Sequence, residues 1–390
     1  MAATKKRFSW TDVPALYYIT HKANLPSILA HGILSHAEMV RQNIQPHKIY
    51  NEHVVTRRQD KKINEQSLWE YANLYFQPRN PMLFQVLRHG QEARDEEIIV
   101  LSINPMVLNL PGAIVTTGNA AADATEFFPI ADGEKHVGAL QQTFMQEYWN
   151  ATDGSKRKIM AEYIVPQTIP ASFIQSIYVA KTKIKEEIEK LCSSIPVIVE
   201  PYMFFRPRRS IRLTEKLSLA DGDMFFSTHQ TLTVSVNTVG IMGKGLASRA
   251  KYQFPDVYVK YQDLCRKKQL LLGKPALYKR DFEIVTHDYP DIVDGKWFLL
   301  FPTKDHWRNN SRIRPIEDGL QWLVDNYTKL GIESLAIPAL GCGLGNLGWD
   351  EVGPLMCNYL SKLNITCSIY LPQGKEIPQE QISLDYLLAQ

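Results

Sequence analysis

A chain of 390 residues exceeds what one ordinary hydrophobic core supports, since cores stop growing near ~250–300 residues and typical domains hold ~100–200, so two domains are expected. A composition of 45% hydrophobic, 22% charged and 10% aromatic residues, with 21 Gly and 22 Pro, excludes a disordered or collagen-like chain. Net charge is only +3, from 44 Lys plus Arg against 41 Asp plus Glu, so any basic surface for a nucleic acid must be local.

The five cysteines, Cys192, Cys265, Cys342, Cys357 and Cys367, are odd in number and form no CxxC pair. This argues against a disulfide framework or a zinc site and points to a reducing cytoplasm; no metal is expected. The amino terminus, MAATKKRFSW, carries charge with no apolar region behind it, and no run of about 18 apolar residues follows anywhere. Neither secretion nor a membrane partner is expected.

In the first half, short helical stretches such as NLPSILAHGIL mix with β-branched runs such as EEIIVLSIN and EYIVP without regular alternation, the pattern of an α+β domain. At its start, YYITH before NLPSILAHGIL puts Tyr17, Tyr18, Thr20, His21 and Asn24 at a strand-to-helix junction. Polar groups and a helix N-terminus can meet an anionic ligand there. The polar stretch HKIYNEHVVTRRQDKK reads as a long irregular loop, and such loops are more often functional than idle. LYFQPRNPMLF then supplies Tyr75, Phe76, Arg79 and Asn80. Aromatic residues dispersed among Arg57, Arg58, Lys61, Lys62 and Arg79 suit a single-stranded nucleic acid, through base stacking and phosphate contact.

KIMAEYIVP reads as a strand with Ile159, Ala161, Tyr163 and Val165 on one face and Met160, Glu162 and Ile164 on the other. Glu162 is the one charge on an otherwise apolar strand. A carboxylate there is costly unless it is paired or opens onto a cleft. Spacing alone leaves open both a structural ion pair and a catalytic acid or base.

Taken in order, YYITH-x-x-NL, HVVTRR, YFQPRNPM, VTTGNA and AEYIVP resemble the DarT family, enzymes that transfer ADP-ribose from NAD to a base in DNA. The resemblance covers about Tyr17 to Phe205. It implies an ADP-ribosyltransferase-like fold with NAD as substrate, and an NAD pocket lined by Thr20, His21 and Asn24 with Tyr18, Arg58 and Tyr75. It also implies a catalytic-site arginine at Arg58 and a catalytic glutamate at Glu162. The acceptor would be single-stranded or flipped DNA, because a stacked base hides its reactive atom. The target base stays open; Tyr18 and Asn119 stand where some members carry histidine.

The strand-like IPVIVEPYMFF followed by RPRRSIR, Arg206 to Arg212, is the best boundary, giving domains at 1–208 and 213–390. Beyond it strands and helices alternate: TLTVSVN, a helix through KGLASRAKYQF, WFLLF, a helix near IEDGLQWLVDNYTKLG, SLAIP, a helix around EVGPLMCNYLSKLN, and TCSIYL. That order predicts an α/β domain with a parallel or mixed sheet between helices.

Two Gly-rich loops follow its strands, NTVGIMGKG and GCGLGNLG. Ligands of open α/β sheets lie beyond strand carboxyl ends, and glycines there admit backbone N–H groups to phosphate oxygens. GLGNLG formally matches the dinucleotide fingerprint but sits too near the end of the chain. GIMGKG lacks the Walker spacing and its Ser or Thr, so both of those motifs are rejected. FPTKDHWR places Lys304, His306 and Arg308 past another strand end, overhanging the same crevice. A lysine beside a phosphate or ribose supplies charge or, when desolvated, acts as base or nucleophile.

NTVGIMGKG, FPTKDHWR and IPALGCGLGNLGW together resemble the DarG branch of the macrodomains, which removes ADP-ribose from DNA, over about Lys216 to Leu371. The resemblance implies a mixed sheet flanked by helices. It places Asp223 and Met224 at the adenine and Asn237 at the distal ribose. The diphosphate would be held by Gly243, Lys244 and Gly245 and by Gly341, Cys342, Gly343, Leu344 and Gly345, with Lys304 as the catalytic residue. The further toxin-binding domain usual in DarG proteins is not expected after Gln390.

The two halves then read as a fused writer and eraser, with DNA and ADP-ribose as partners and each domain as the other's intramolecular partner. Two other readings stay open: a first half that modifies RNA or protein, and a macrodomain that only binds ADP-ribose.

Overall fold

The computed structural model describes residues 8–49, 52–63, 65–88, 94–280 and 295–388; the amino-terminal residues 1–7 read above lie outside them. The chain divides into two compact units, Met1–Phe204 and Phe205–Gln390.

The first unit is built on an eight-stranded sheet in the order Val197–Val199, Ile174–Val179, Ile98–Ile103, Leu16–His21, Tyr71–Tyr75, Glu162–Pro166, Ile114–Thr116 and Phe127–Pro129. Val197–Val199 runs parallel to its neighbour and the other pairs are antiparallel. Register sets Tyr17 opposite Tyr75 and Tyr75 opposite Glu162. Side chains alternate across a sheet and directly paired residues share a face. The face with Leu16, Leu74, Leu101 and Tyr163 therefore enters the main core, while Tyr17, Tyr75 and Glu162 form a row on the other.

Three local readings change. The strand carrying Glu162 starts at that residue, because Ser155–Lys158 is a helical turn that continues through Ile159 N–H to Ser155 O and Ala161 N–H to Lys158 O. Glu162 thus stands at the strand's entrance, although Ile159, Met160 and Ala161 are buried beside it. The polar stretch read as an irregular loop contains a helix, Glu52–Asp60. Among its residues whose side chains are described, the buried one is Arg58, between the exposed Arg57 and Gln59; a buried arginine gives no apolar signal in the sequence. Arg209–Arg212, read as part of a boundary, pairs antiparallel with Leu217–Asp221. Ile211 packs on the second unit's core while the flanking arginines stay exposed, a common way of protecting an edge strand from further pairing.

The second unit holds a seven-stranded sheet in the order Arg209–Arg212, Leu217–Asp221, Thr366–Tyr370, Ser334–Pro338, Thr231–Asn237, Trp297–Lys304 and Ala276–Tyr278. The five inner strands are parallel and both edge pairs are antiparallel, which is a mixed sheet. The run WFLLF is apolar throughout because both its faces are covered. Phe298 and Leu300 pack with residues of the helices Gly245–Gln253 and Pro255–Arg266. Leu299 and Phe301 pack with those of Ile313–Leu330 and Trp349–Leu360. Gly319 lets the first of these two lie directly on the Phe301 ring, where a Cβ would come within 2.4 Å. The carboxyl ends of the parallel strands, including Asn237, Lys304 and Pro338, face one side. No helix among the described residues is long and apolar enough to cross a membrane.

Candidate active sites

In the first unit the Glu162 carboxylate is fully buried, at 0% exposure, and both its oxygens are engaged. Oε2 accepts a hydrogen bond from Arg58 Nη1 at 2.9 Å, and Oε1 accepts one from the Ala120 N–H at 2.8 Å. The Glu162 N–H donates to Thr116 Oγ1 at 2.8 Å, and that hydroxyl donates to Gly118 O at 2.6 Å. HVVTRR, VTTGNA and AEYIVP thereby meet at one carboxylate, with Tyr75 beside it in register. Desolvating two charges is costly, and their mutual attraction offsets that cost only with good geometry and further hydrogen bonds; here the geometry is good and both carboxylate oxygens accept a bond.

Arg58 is 8% exposed. Burial opposes its charge, but Glu162 and Tyr75 keep its pKa above the ordinary value. Its Nη2 is buried and has no hydrogen-bond partner among the described residues, leaving a charged donor available to an anionic ligand. Around the pair, His36 stacks on Trp69 with ring centroids 4.7 Å apart. Burial and the Arg58 charge push the His36 pKa down to about 4. Lys61 donates to Ala122 O at 2.6 Å, and burial lowers its pKa against the pull of Asp123 and Glu162.

Thr20, His21 and Asn24 also converge, around His47. Asn24 Nδ2 donates to Thr20 Oγ1 at 3.1 Å and to His47 O at 3.0 Å, and Asn24 Oδ1 accepts from His47 N–H at 2.7 Å. The His21 and His47 rings lie 4.3 Å apart. Tyr18 is not brought to the face of Glu162: it packs on the core side with Leu16, and its neighbour Tyr17 takes the place in the Glu162 row. Burial, with Tyr178 and Glu147 nearby, raises the Tyr17 pKa to about 12. Thr116, the Ala120 N–H, His36 and His47 were not singled out from sequence. VTTGNA carried the signal for the first two, whereas the row position of Tyr17 depends on a pairing between distant strands.

In the second unit, Asn237 ends its strand and pins the first Gly-rich loop. Its Oδ1 accepts from Val239 N–H at 3.0 Å and from the Tyr261 hydroxyl at 2.8 Å, while Nδ2 donates to Ile241 O at 2.6 Å. Asp223 accepts from Phe225 N–H at 3.1 Å and pairs with Arg249 at 2.6 Å. Arg249 lies 4.9 Å from the Phe225 ring centroid, and Met224 is buried beside them. Gly243 and Lys244 are exposed and lead into the helix starting at Gly245.

The second Gly-rich loop turns at Gly341, where φ is +75°. A Cβ on Gly345 would come within 2.3 Å of Gly341 O and 2.4 Å of Ser311 Oγ, so only glycine fits. The N–H groups of Gly343, Leu344 and Gly345 find no acceptor among the described residues, and three such donors in a loop make an anion cradle. Lys304 Nζ donates to Leu344 O at 2.5 Å, and burial lowers its pKa. A Cβ on Gly245 would lie 3.4 Å from Leu344 Cδ1. Both loops and Lys304 therefore meet at Leu344. Lys375 donates to Cys342 O from the other side. Burial pushes the Cys342 thiol up to about 11, so this residue offers its backbone and no thiolate.

Residues 17–205 match the family described as ssDNA thymidine ADP-ribosyltransferase, DarT, and residues 234–356 match the Macro domain. A DNA ADP-ribosyl transferase-DNA ADP-ribosyl glycohydrolase fusion protein of Thermosipho africanus is 51% identical over 382 residues, covering 96% of this chain and 98% of the relative. The solved structure of Thermosipho africanus DarTG in complex with ADP-ribose is 50% identical with a TM-score of 0.90, covering 96% of this chain and all of that one. A DNA ADP-ribosyl glycohydrolase of Thermus aquaticus is 37% identical over 136 residues, 35% of each chain.

Proposed function

The chain belongs to the family of DNA ADP-ribosyl transferase-DNA ADP-ribosyl glycohydrolase fusion proteins, and from that premise we propose how its two units perform opposing reactions on one group. The first unit transfers ADP-ribose from NAD to a base in single-stranded DNA; the second removes it. Transfer breaks the bond between nicotinamide and the anomeric carbon through an oxocarbenium-like transition state. Glu162 stabilises that cation and takes the proton of the attacking base. Arg58 holds Glu162 with Nη1 and turns Nη2 to the diphosphate of NAD. Thr116 and the Ala120 N–H position the carboxylate.

For removal, the N–H groups of Gly343 to Gly345 hold the diphosphate while the Lys304 amine attacks the anomeric carbon; the bond to the base breaks, the base leaves with the proton that the amine gives up, and water then displaces the lysine and releases ADP-ribose. The lowered Lys304 pKa favours the unprotonated form needed there. Both reactions belong in the cytoplasm, where DNA and NAD meet.

The observation that carries this reading is the convergence of Arg58 and the Ala120 N–H on a buried Glu162. Expression of the wild type, Glu162→Ala and Lys304→Ala tests it. Only Lys304→Ala is toxic, and ADP-ribose accumulates on its DNA. Label from NAD that goes to RNA or protein and leaves DNA unmarked overturns the reading.

A further inference from the structure

The stretch between Lys304 and the helix Ile313–Leu330 is not used by the chemistry above, yet it spans both Gly-rich loops. Asp305 O accepts from the Thr238 hydroxyl at 2.8 Å, which ties one end to the first loop. Ser311 N–H donates to Gly345 O at 3.0 Å, and Asn346 Nδ2 donates to Asn310 Oδ1 at 2.8 Å, tying the other end to the second loop. The segment is thereby fixed along the rim of the crevice. In this segment Trp307 is 45% exposed, with the His306 ring centroid 5.3 Å away and the Arg308 guanidinium 4.6 Å from the indole.

A large aromatic residue held in the open beside an active site, backed by a guanidinium, is the composition of a base-stacking platform. Charge agrees. Arg308 and Arg312 are both exposed. The one carboxylate of the segment, Asp305, is turned into it, accepting from His306 N–H at 2.8 Å and Asn309 Nδ2 at 2.9 Å.

We propose that residues 305–312 dock the DNA strand carrying the ADP-ribosyl group, with Trp307 stacking on a base next to the modified one and Arg308 and Arg312 meeting the adjoining phosphates. This rests on the reading of the second unit as a hydrolase and deepens it. Lys304 and the Gly-rich loops recognise ADP-ribose, and the neighbouring rim recognises what ADP-ribose is attached to.

The test compares two substrates on the full-length chain in the absence of NAD: an ADP-ribosylated single-stranded oligonucleotide and the ADP-ribosylated nucleoside alone. Trp307→Ala lowers kcat/KM on the oligonucleotide by about 10- to 100-fold, the range set by stacking of one base. The nucleoside is hydrolysed as by the wild type, free ADP-ribose binds unchanged, and Trp307→Phe restores most of the loss. Arg308→Ala makes hydrolysis of the oligonucleotide less salt-sensitive. An oligonucleotide rate that survives Trp307→Ala, or an equal loss on both substrates and on ADP-ribose binding, overturns the proposal. A wild-type chain that leaves both substrates intact overturns the hydrolase reading itself, and the proposal with it.

Discussion

The two sites are made of opposite materials. The first unit keeps its reacting carboxylate in a finished, buried ion pair, with Arg58 on one oxygen and a backbone N–H on the other. Among the described residues the second keeps no buried ion pair at its reacting lysine; it offers loop N–H groups and a partly exposed Lys304 bonded to the Leu344 carbonyl. Preorganised charge suits a reaction that must stabilise a cation in the absence of water. A backbone cradle suits the capture of a diphosphate. The difference has a thermodynamic consequence: in the first unit catalysis and folding share residues, and in the second they are separable.

The sharpest way to break this comparison is at Glu162. Glu162→Gln lowers DNA ADP-ribosylation by at least ~10³-fold, since it removes the negative charge and the base together. Glu162→Ala, which also leaves Arg58 buried beside an empty space, destabilises the protein by roughly 3–5 kcal/mol in denaturant titration. A paired Arg58→Met, Glu162→Leu replacement recovers most of that stability with no activity. If Glu162→Ala unfolds at the wild-type denaturant concentration, the ion pair is not what holds the helix Glu52–Asp60 in place.

The contrasting substitution, Lys304→Ala, lowers hydrolysis of ADP-ribosylated DNA by about 100-fold or more while changing stability by under ~1 kcal/mol, as expected for a partly exposed side chain. The pH profile carries the sign of the pKa shift. Burial lowers the Lys304 pKa, so the wild-type rate rises with pH and levels off below the pH at which an ordinary lysine loses its proton. A rate that keeps rising to the ordinary lysine range would show that Lys304 is solvated during the reaction.

How far sequence could reach differs between the two units for the same physical reason. The second unit's elements were legible because WFLLF and SLAIP are short, mostly apolar runs, as parallel strands covered on both faces are, and TLTVSVN alternates polar and apolar residues; all three form strands. Its Gly-rich loops were legible because close backbone approach leaves glycine in the sequence, as at Gly345. In the first unit the motifs were visible but their geometry was not. The helix Glu52–Asp60 turns a charged residue, Arg58, inward, and the row of Tyr17, Tyr75 and Glu162 depends on pairing of strands more than 50 residues apart in the chain. No local pattern encodes such a pairing, which is why the sequence places Tyr17 and Tyr18 together at the junction without telling which of them joins the Glu162 row.

Two glycines of one loop separate its packing from its ligand role. At Gly345 a methyl group meets the backbone oxygen of Gly341, so Gly345→Ala shifts the loop, costs roughly 1–3 kcal/mol and weakens ADP-ribose binding. At Gly343 a Cβ meets nothing within 4 Å. Gly343→Ala therefore melts like the wild type but binds ADP-ribose about tenfold less tightly, because the methyl group enters space that the diphosphate needs. Calorimetric titration with ADP-ribose beside thermal melting separates the two; equal affinity for wild type and Gly343→Ala moves the diphosphate away from this residue.

The smallest effect at neutral pH appears only in acid, and it compares the units directly. Each holds a partly buried histidine whose pKa desolvation pushes down to about 4: His36, next to Arg58, and His229, bonded to Ser227 and Ser368. A histidine kept neutral by the fold contributes stability that is complete above its unfolded pKa near 6.5. That contribution is lost as pH falls toward the folded value, by up to about 3 kcal/mol for a shift of this size. His36→Gln and His229→Gln should each flatten the fall in stability between pH 6.5 and 4. They should differ in activity. A proton on His36 adds positive charge beside Arg58, so ADP-ribosylation by the wild type declines over this window faster than unfolding accounts for. His229 precedes the strand Thr231–Asn237 at the end away from the crevice, so its protonation should leave ADP-ribose affinity unchanged for as long as the second unit stays folded. A parallel loss of affinity would mean that the sheet transmits the change from one end to the other, and the separability of folding and catalysis in that unit would fail.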